Sequence, residues 1–140
     1  AYFLLPIENT WQDAGSGMVG TLPEPLDPPA FLAWVRDRLG ARVIRHTPYA
    51  RPVRRVAVCG GAGSFLLRKV RAAGADAFVT SDFKYHEFFD AEGALMIADV
   101  GHWESEQHTP ALMRQLLTEK MGNIAAYLSE TDTNPVRYFF

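Results

Sequence analysis

His102 and Glu106 stand four residues apart in His102-Trp103-Glu104-Ser105-Glu106. On a helix that spacing sets an imidazole and a carboxylate one turn apart on one side, where both reach a single divalent cation. The acids Asp99, Glu104 and Glu106 would offset the cost of desolvating it. The plainer reading is a histidine at a strand end and a glutamate favoured at a helix N-terminus. Asp82 and His86 repeat the i, i+4 pattern. They could support a metal from behind or act as an acid/base pair, or they could be an N-cap aspartate and an exposed helix histidine. Gly60-Gly61-Ala62-Gly63-Ser64 offers bare backbone N–H groups ahead of a predicted helix, a place for a phosphate. It has neither the third glycine of a dinucleotide fingerprint nor the Lys-Ser/Thr pair of a P-loop. The segment therefore predicts a small-anion or nucleotide-phosphate contact at Gly60, Gly61, Gly63 and Ser64, or simply a tight turn. His46 and His108 have no carboxylate at useful spacing and read as surface residues. Cys59, the single cysteine, reads as a small buried hydrophobe and excludes a disulfide framework.

These clusters need strands to carry them. Ala1–Glu8 reads as a strand, and the glycine- and proline-rich stretch 9–29 as a long loop. Asp27, Pro28 and Pro29 open a helix with Phe31, Leu32, Trp34, Val35 and Leu39 at helical spacing, closed by Gly40. Strands are predicted at 42–46, 54–58, 77–80, 94–98 and 124–128. Helices are predicted from Ser64 to Gly74, over 85–91, and from Thr109-Pro110 to Met121, with Thr109 as cap; the tail 132–140 is irregular. Strand–turn–helix units of this length predict an α/β layered sheet, parallel or mixed, flanked by helices. The polar clusters follow the strands at 54–58, 77–80 and 94–98. If those three are parallel neighbours, the clusters share one crevice at the carboxyl ends.

The chain has 140 residues, 48% hydrophobic and 21% charged, which fits one ordinary domain rather than a disordered segment. It is read as a single α/β unit, with an opening strand and linker loop over 1–27 and the core over 28–140. The start lacks the basic and apolar regions of a secretion signal, and no apolar run approaches a membrane span, so a cytoplasmic protein without membrane contact is expected. Arg38 to Arg71 holds nine basic residues and no acid, whereas Asp76 to Asp132 holds eleven acids and three bases. Such a split can steer anions to one surface and hold cations at another, or give two solvated faces. A formal net charge of −2 argues against general nucleic-acid binding.

Taken together, five ordered blocks resemble the Nif-three-like (NGG-one-interacting-factor-three-like) dinuclear metal-centre proteins, also labelled GTP cyclohydrolase I type 2 homologues. They are Gly15-Ser16-Gly17-Met18-Val19-Gly20-Thr21-Leu22-Pro23-Glu24-Pro25, Val56 to Ser64, Gly74-Ala75-Asp76-Ala77 through Thr80-Ser81-Asp82-Phe83-Lys84-Tyr85-His86, Asp99 to Glu106, and Asp132 to Phe139. The resemblance implies that His102 and Glu106 ligate a pair of divalent metals (zinc, iron or manganese), that Asp82 to His86 borders them, and that subunits assemble into hexameric rings. It covers only the C-terminal half of such proteins. The upstream half, with its paired histidines and an acidic ligand, has no counterpart here, so this chain alone is expected to hold metal weakly or not at all and to be inactive.

Two functions follow as expectations. The first is the C-terminal part of a metal-dependent hydrolase acting on a nucleotide, with His102 and Glu106 as ligands and Asp82 and His86 orienting water or moving a proton. The second is a non-catalytic metal-binding assembly or interaction module.

Overall fold

Residues 77–81 and 96–99, AFVTS and MIAD, are buried at every position, the mark of strands covered on both faces. In a computed structural model, which describes residues 2–6 and 15–140, they lie at the centre of a six-stranded mixed sheet. In chain order the strands are β1 (Tyr2–Pro6), β2 (Gly15–Leu26), β3 (Arg45–His46), β4 (Val53–Ala62), β5 (Ala77–Ser81) and β6 (Met96–Asp99), arranged β1-β2-β4-β5-β6-β3. β4, β5 and β6 run parallel and side by side. β1 and β2 extend one edge antiparallel, and β3 caps the other, pairing Arg45 with Asp99.

Successive side chains of the central strands alternate between two cores. Phe78 and Ile97 face the 3₁₀ turn Ser64–Leu66, helix α2 (Leu67–Ala72) and the 3₁₀ segment Tyr85–Ala91, where Leu66, Val70, Phe83 and Leu95 are buried. Ala77, Val79, Met96 and Ala98 face helix α1 (Pro28–Leu39), whose Phe31 and Val35 are buried against them. Each of the larger side chains among these, taken fully out of water, contributes roughly 1.5–3 kcal/mol. Helix α1 begins at Pro28 after Asp27, as its letters predict, although Asp27 makes no side-chain capping bond. It ends where Gly40 turns left-handed at φ 64°, a conformation that costs glycine no Cβ clash.

Several sequence expectations need correction. Residues 15–26 of the expected loop form strand β2, while the part of that loop over 9–14 lies outside the described residues. The prolines misled: Pro23 and Pro25 fall where the register with β4 is broken, between Thr21 and Leu26, so no ladder bond needs their missing N–H. The strand expected at 42–46 is only Arg45–His46, and that at 54–58 runs on through the glycines to Ala62. The helix expected from Ser64 divides into the 3₁₀ turn and α2, and Ser64 donates to Glu87 Oε1 (3.2 Å) instead of capping. The expected strand 124–128 is irregular, because a short apolar run keeps strand geometry only with a ladder partner and it has none among the described residues.

The chain divides into two compact units, 1–105 and 106–140. The second contains helix α4 (Thr109–Lys120), preceded by His108 rather than Thr109 at the cap position, and an irregular stretch held by local bonds such as Asn134 N–H to Asp132 Oδ1 at 2.9 Å. No described helix is long and apolar enough to cross a membrane.

Candidate functional site

Parallel pairing brings the carboxyl ends of β4, β5 and β6 level. Ala62 lies opposite Ser81, and Thr80 opposite Asp99. The three strands expected to carry the polar clusters are therefore parallel neighbours, and the residues at their ends are built up from Asp99.

Asp99 ends β6 with only 3% of its surface exposed. A buried carboxylate needs donors on both oxygens. Oδ2 accepts from Arg45 Nη2 (2.5 Å) and from the backbone N–H of Phe83 (3.0 Å), and Oδ1 accepts from the N–H of Gly101 (3.2 Å). One side chain thus fastens the loop after β5, the loop after β6 and the edge strand β3. Its charge is balanced by Arg45, so Asp99 is an organiser of these loops and not part of an open acidic patch. Arg45 also donates to the carbonyl of Phe83 (3.1 Å).

The two fastened loops present Asp82 and His102 to each other. Asp82 sits in the left-handed region at φ 59°, a conformation aspartate tolerates better than most residues. Its Oδ2 lies 2.6 Å from His102 Nδ1. A carboxylate can only accept, so Nδ1 carries the proton and, in the neutral ring, the lone pair resides on Nε2. A carboxylate behind a histidine in this way is how proteins set the tautomer and orientation of a metal-binding imidazole. Both side chains are about half exposed, 54% for His102 and 47% for Asp82, so the pair is open to solvent-borne partners.

The Asp82–His86 pairing read from spacing does not form. Residues 82–84 are not helical, and the 3₁₀ segment begins only at Tyr85, so i, i+4 does not place the two side chains together. His86 packs edge-on to the Tyr85 ring, with centroids 5.3 Å apart. His102 and Glu106 are the first and last residues of helix α3 (His102–Glu106).

The glycine-rich segment is a strand end rather than the expected turn at a helix start. Gly60 and Gly61 belong to β4. The carbonyl of Gly61 accepts from Thr80 Oγ1 (3.0 Å), and its N–H donates to Ser105 Oγ (2.9 Å), which itself donates to the carbonyl of His102 (2.8 Å). The β4 end and the His102 turn are thereby tied through one hydroxyl. At Gly63 a Cβ would stand 2.2 Å from Thr80 Oγ1 and 3.0 Å from Phe78 Cζ, so only glycine lets the chain pass so close to β5. Cys59 is buried among core side chains, as its context predicts.

Sequence reading passed over Arg45 and Ser105. Arg45 comes from an edge strand distant in sequence, and serine–backbone links leave no periodic trace. A charged residue closing the otherwise apolar run MIAD was the available signal for Asp99. As to metal, His102 with Asp82 fits one imidazole ligand and its supporting carboxylate. Among the described residues no group of three or more His, Cys, Asp or Glu side chains is gathered to complete a coordination shell.

Comparison with known proteins adds the following. The family model described as Duf34/NIF3 (NGG1p interacting factor 3) matches residues 4–135. The chain is similar to a protein of Bacillus subtilis named GTP cyclohydrolase 1 type 2 homolog, 33% identical over 143 residues that make up 99% of this chain and 38% of the relative. A Nostoc protein of the same name is 34% identical over 142 residues, 96% of this chain and 52% of that protein. Among solved structures, a Bacillus cereus protein related to NIF3 superposes with a TM-score of 0.76 at 29% identity, covering 96% of this chain and 38% of that one. Staphylococcus aureus protein SA1388 superposes equally well, TM-score 0.76, at 24% identity, over 89% of this chain and 42% of that one, and shows the fold alone. The chain spans about two fifths to one half of the length of these relatives.

Proposed function

Because the chain belongs to the Duf34/NIF3 family, we propose that it is the C-terminal part of a metal-dependent hydrolase acting on a nucleotide. The observation that carries this reading is the 2.6 Å hydrogen bond between Asp82 Oδ2 and His102 Nδ1 at the strand ends. His102 and Glu106 are the proposed ligands from this chain for a pair of divalent metals, zinc, iron or manganese; the remaining ligands lie elsewhere in the protein. A bound divalent metal would supply Lewis acidity toward water and toward the bond under attack. Asp82 holds the proton on Nδ1 and keeps the ring oriented. His86, exposed on the 3₁₀ segment, is the proposed proton carrier. Gly60, Gly61, Gly63 and Ser64 border the same edge and present little side-chain bulk to a phosphate-bearing substrate. The naming of the Bacillus subtilis and Nostoc relatives as GTP cyclohydrolase 1 type 2 homologs agrees with a nucleotide as that substrate. Assembly into a homo-oligomeric ring and a cytoplasmic location are part of the same proposal.

Metal content of the full-length protein, purified without chelators, tests the ligand assignment. His102→Ala is expected to abolish loading. Asp82→Asn, which keeps the backbone conformation but loses the anionic acceptor, is expected to weaken metal affinity about 10–100-fold. Full stoichiometric metal in His102→Ala would defeat the assignment. Product release from a panel of nucleotides by the loaded protein tests the reaction.

A second reading, a non-catalytic assembly module with a structural metal, is favoured by helix α4. Leu112, Met113, Leu116 and Leu117 are all at least 40% exposed, and no residue of this helix is buried. A silent nucleotide panel from a metal-loaded, stable oligomer would favour it.

A further inference from the structure

Beside the Asp82–His102 pair the sheet edge opens into a cleft of about 380 Å³ between β3 and the 3₁₀ segment. Its aromatic wall is unusual for a surface. Tyr85 is 72% exposed and Phe89 65% exposed, and their rings stand edge to face with centroids 5.5 Å apart. Phe88 lines the cleft and carries the Arg45 guanidinium over its ring at 5.4 Å. The opposite wall is polar, formed by Arg45, His46 and Thr47.

The charge in this cleft is already settled. Arg45 Nη2 is engaged by Asp99 Oδ2 and the Phe83 carbonyl, which neutralises the guanidinium and fixes its plane. Its Nε and Nη1 make no hydrogen bond among the described residues and remain as donors. His46 Nδ1 lies 3.1 Å from the carbonyl of Thr47, which can only accept, so the neutral ring keeps its lone pair on Nε2. The cleft thus offers flat apolar faces, fixed N–H donors and no net charge. A carboxylate or phosphate would find its countercharge taken. An aliphatic chain would leave the donors unsatisfied.

We propose that this cleft binds a neutral planar heteroaromatic ring of purine size, face-on to one of the two perpendicular rings of Tyr85 and Phe89 and edge-on to the other, with an acceptor edge toward Arg45. Its volume lies at the low end of small-molecule sites, ~300–1,000 Å³. It suits one fused ring, with any sugar and phosphates continuing outside. The inference deepens the nucleotide reading above and rests on it, since it gives the base of the substrate a place. The connection is physical: Asp99 anchors both Arg45 in the cleft wall and the N–H of Phe83, next in sequence to Asp82.

The test is saturation-transfer NMR on the full-length, metal-free protein with inosine as probe and free ribose as its non-aromatic counterpart. Transfer to the purine protons and none to ribose is expected. Tyr85→Ala and Phe89→Ala, both at exposed positions, should each weaken inosine binding about tenfold, the loss of one base–aromatic contact. Tyr85→Phe, which keeps the ring, should stay within about twofold of the parent. No transfer to inosine overturns the proposal, as does equal binding by the alanine variants. A change of oligomeric mass in those variants with inosine binding unaltered also overturns it, and marks the rings as a subunit contact. Ring-dependent inosine binding in a protein that turns over no nucleotide leaves the cleft standing and removes the hydrolase reading. Nucleotide turnover with a KM indifferent to Tyr85→Ala does the reverse.

Discussion

A single methyl group at position 63 would collide with β5. With Thr80 Oγ1 at 2.2 Å and Phe78 Cζ at 3.0 Å from the built Cβ, Gly63→Ala forces fully buried neighbours to move. It is expected to cost about 1–3 kcal/mol, as overpacking does in cores. Urea denaturation measures this, and adding Thr80→Ala to the same chain should recover part of the loss by removing the nearest atom. Asp99→Ala is expected to cost about 2–4 kcal/mol, because it leaves the N–H groups of Phe83 and Gly101 without their acceptor. The loops bearing Asp82 and His102 should then loosen together, visible as faster amide exchange over 82–84 and 100–102. At this scale the sequence was informative about residue type and poor about partners. His102 and Asp82 were both singled out, but each was paired by helical spacing with a neighbour in its own segment. Their real pairing, across twenty residues, depends on two loops meeting at parallel strand ends. No periodicity in a linear chain encodes that.

Among the elements, β4 has its start held by a side chain. Asp76 Oδ2 accepts from the N–H of Arg54 (3.0 Å) and Arg55 (2.8 Å), and its Oδ1 from the Tyr49 hydroxyl (3.1 Å). Burial, then the hydrogen bond and charge of Asp76, push the Tyr49 hydroxyl above its ordinary pKa of 10.0, with Arg51 pulling the other way. A group whose folded pKa is raised gives stability that is whole below the unfolded value and is lost as pH rises through the folded one. The fold should therefore weaken above about pH 10, and Tyr49→Phe should flatten that alkaline decline. Urea midpoints from pH 8 upward compare the two. Elements with strong local signals, α1 with its prolines and Gly40 and the apolar strands β5 and β6, were legible. Strand β2 was not, because its glycines and prolines speak for a loop and only its neighbours β1 and β4 make it a strand.

Among the described residues, every buried one lies between Val19 and Glu104. A chain ending at Gln107 is therefore expected to keep one cooperative thermal transition, with a midpoint within a few degrees of the parent; a non-cooperative melt by circular dichroism would contradict this. The α/β class was legible because alternation of strands and helices is a property of the chain as a line. Strand order was not, since Arg45–His46 had to be carried past the whole parallel core to reach β6. That last placement has a consequence in time. Arg45 meets Asp99 across a separation of 54 positions, and a ribosome adding about 5–20 residues per second needs roughly 3–10 s to cover it. Throughout that interval β1, β2 and β4 can pair while β3 has no strand to join. The corner that holds Arg45, Asp82 and His102 is thus the last part of the sheet to be born, and a nascent chain stalled before β6 would carry the strands β1, β2, β4 and β5 and no site.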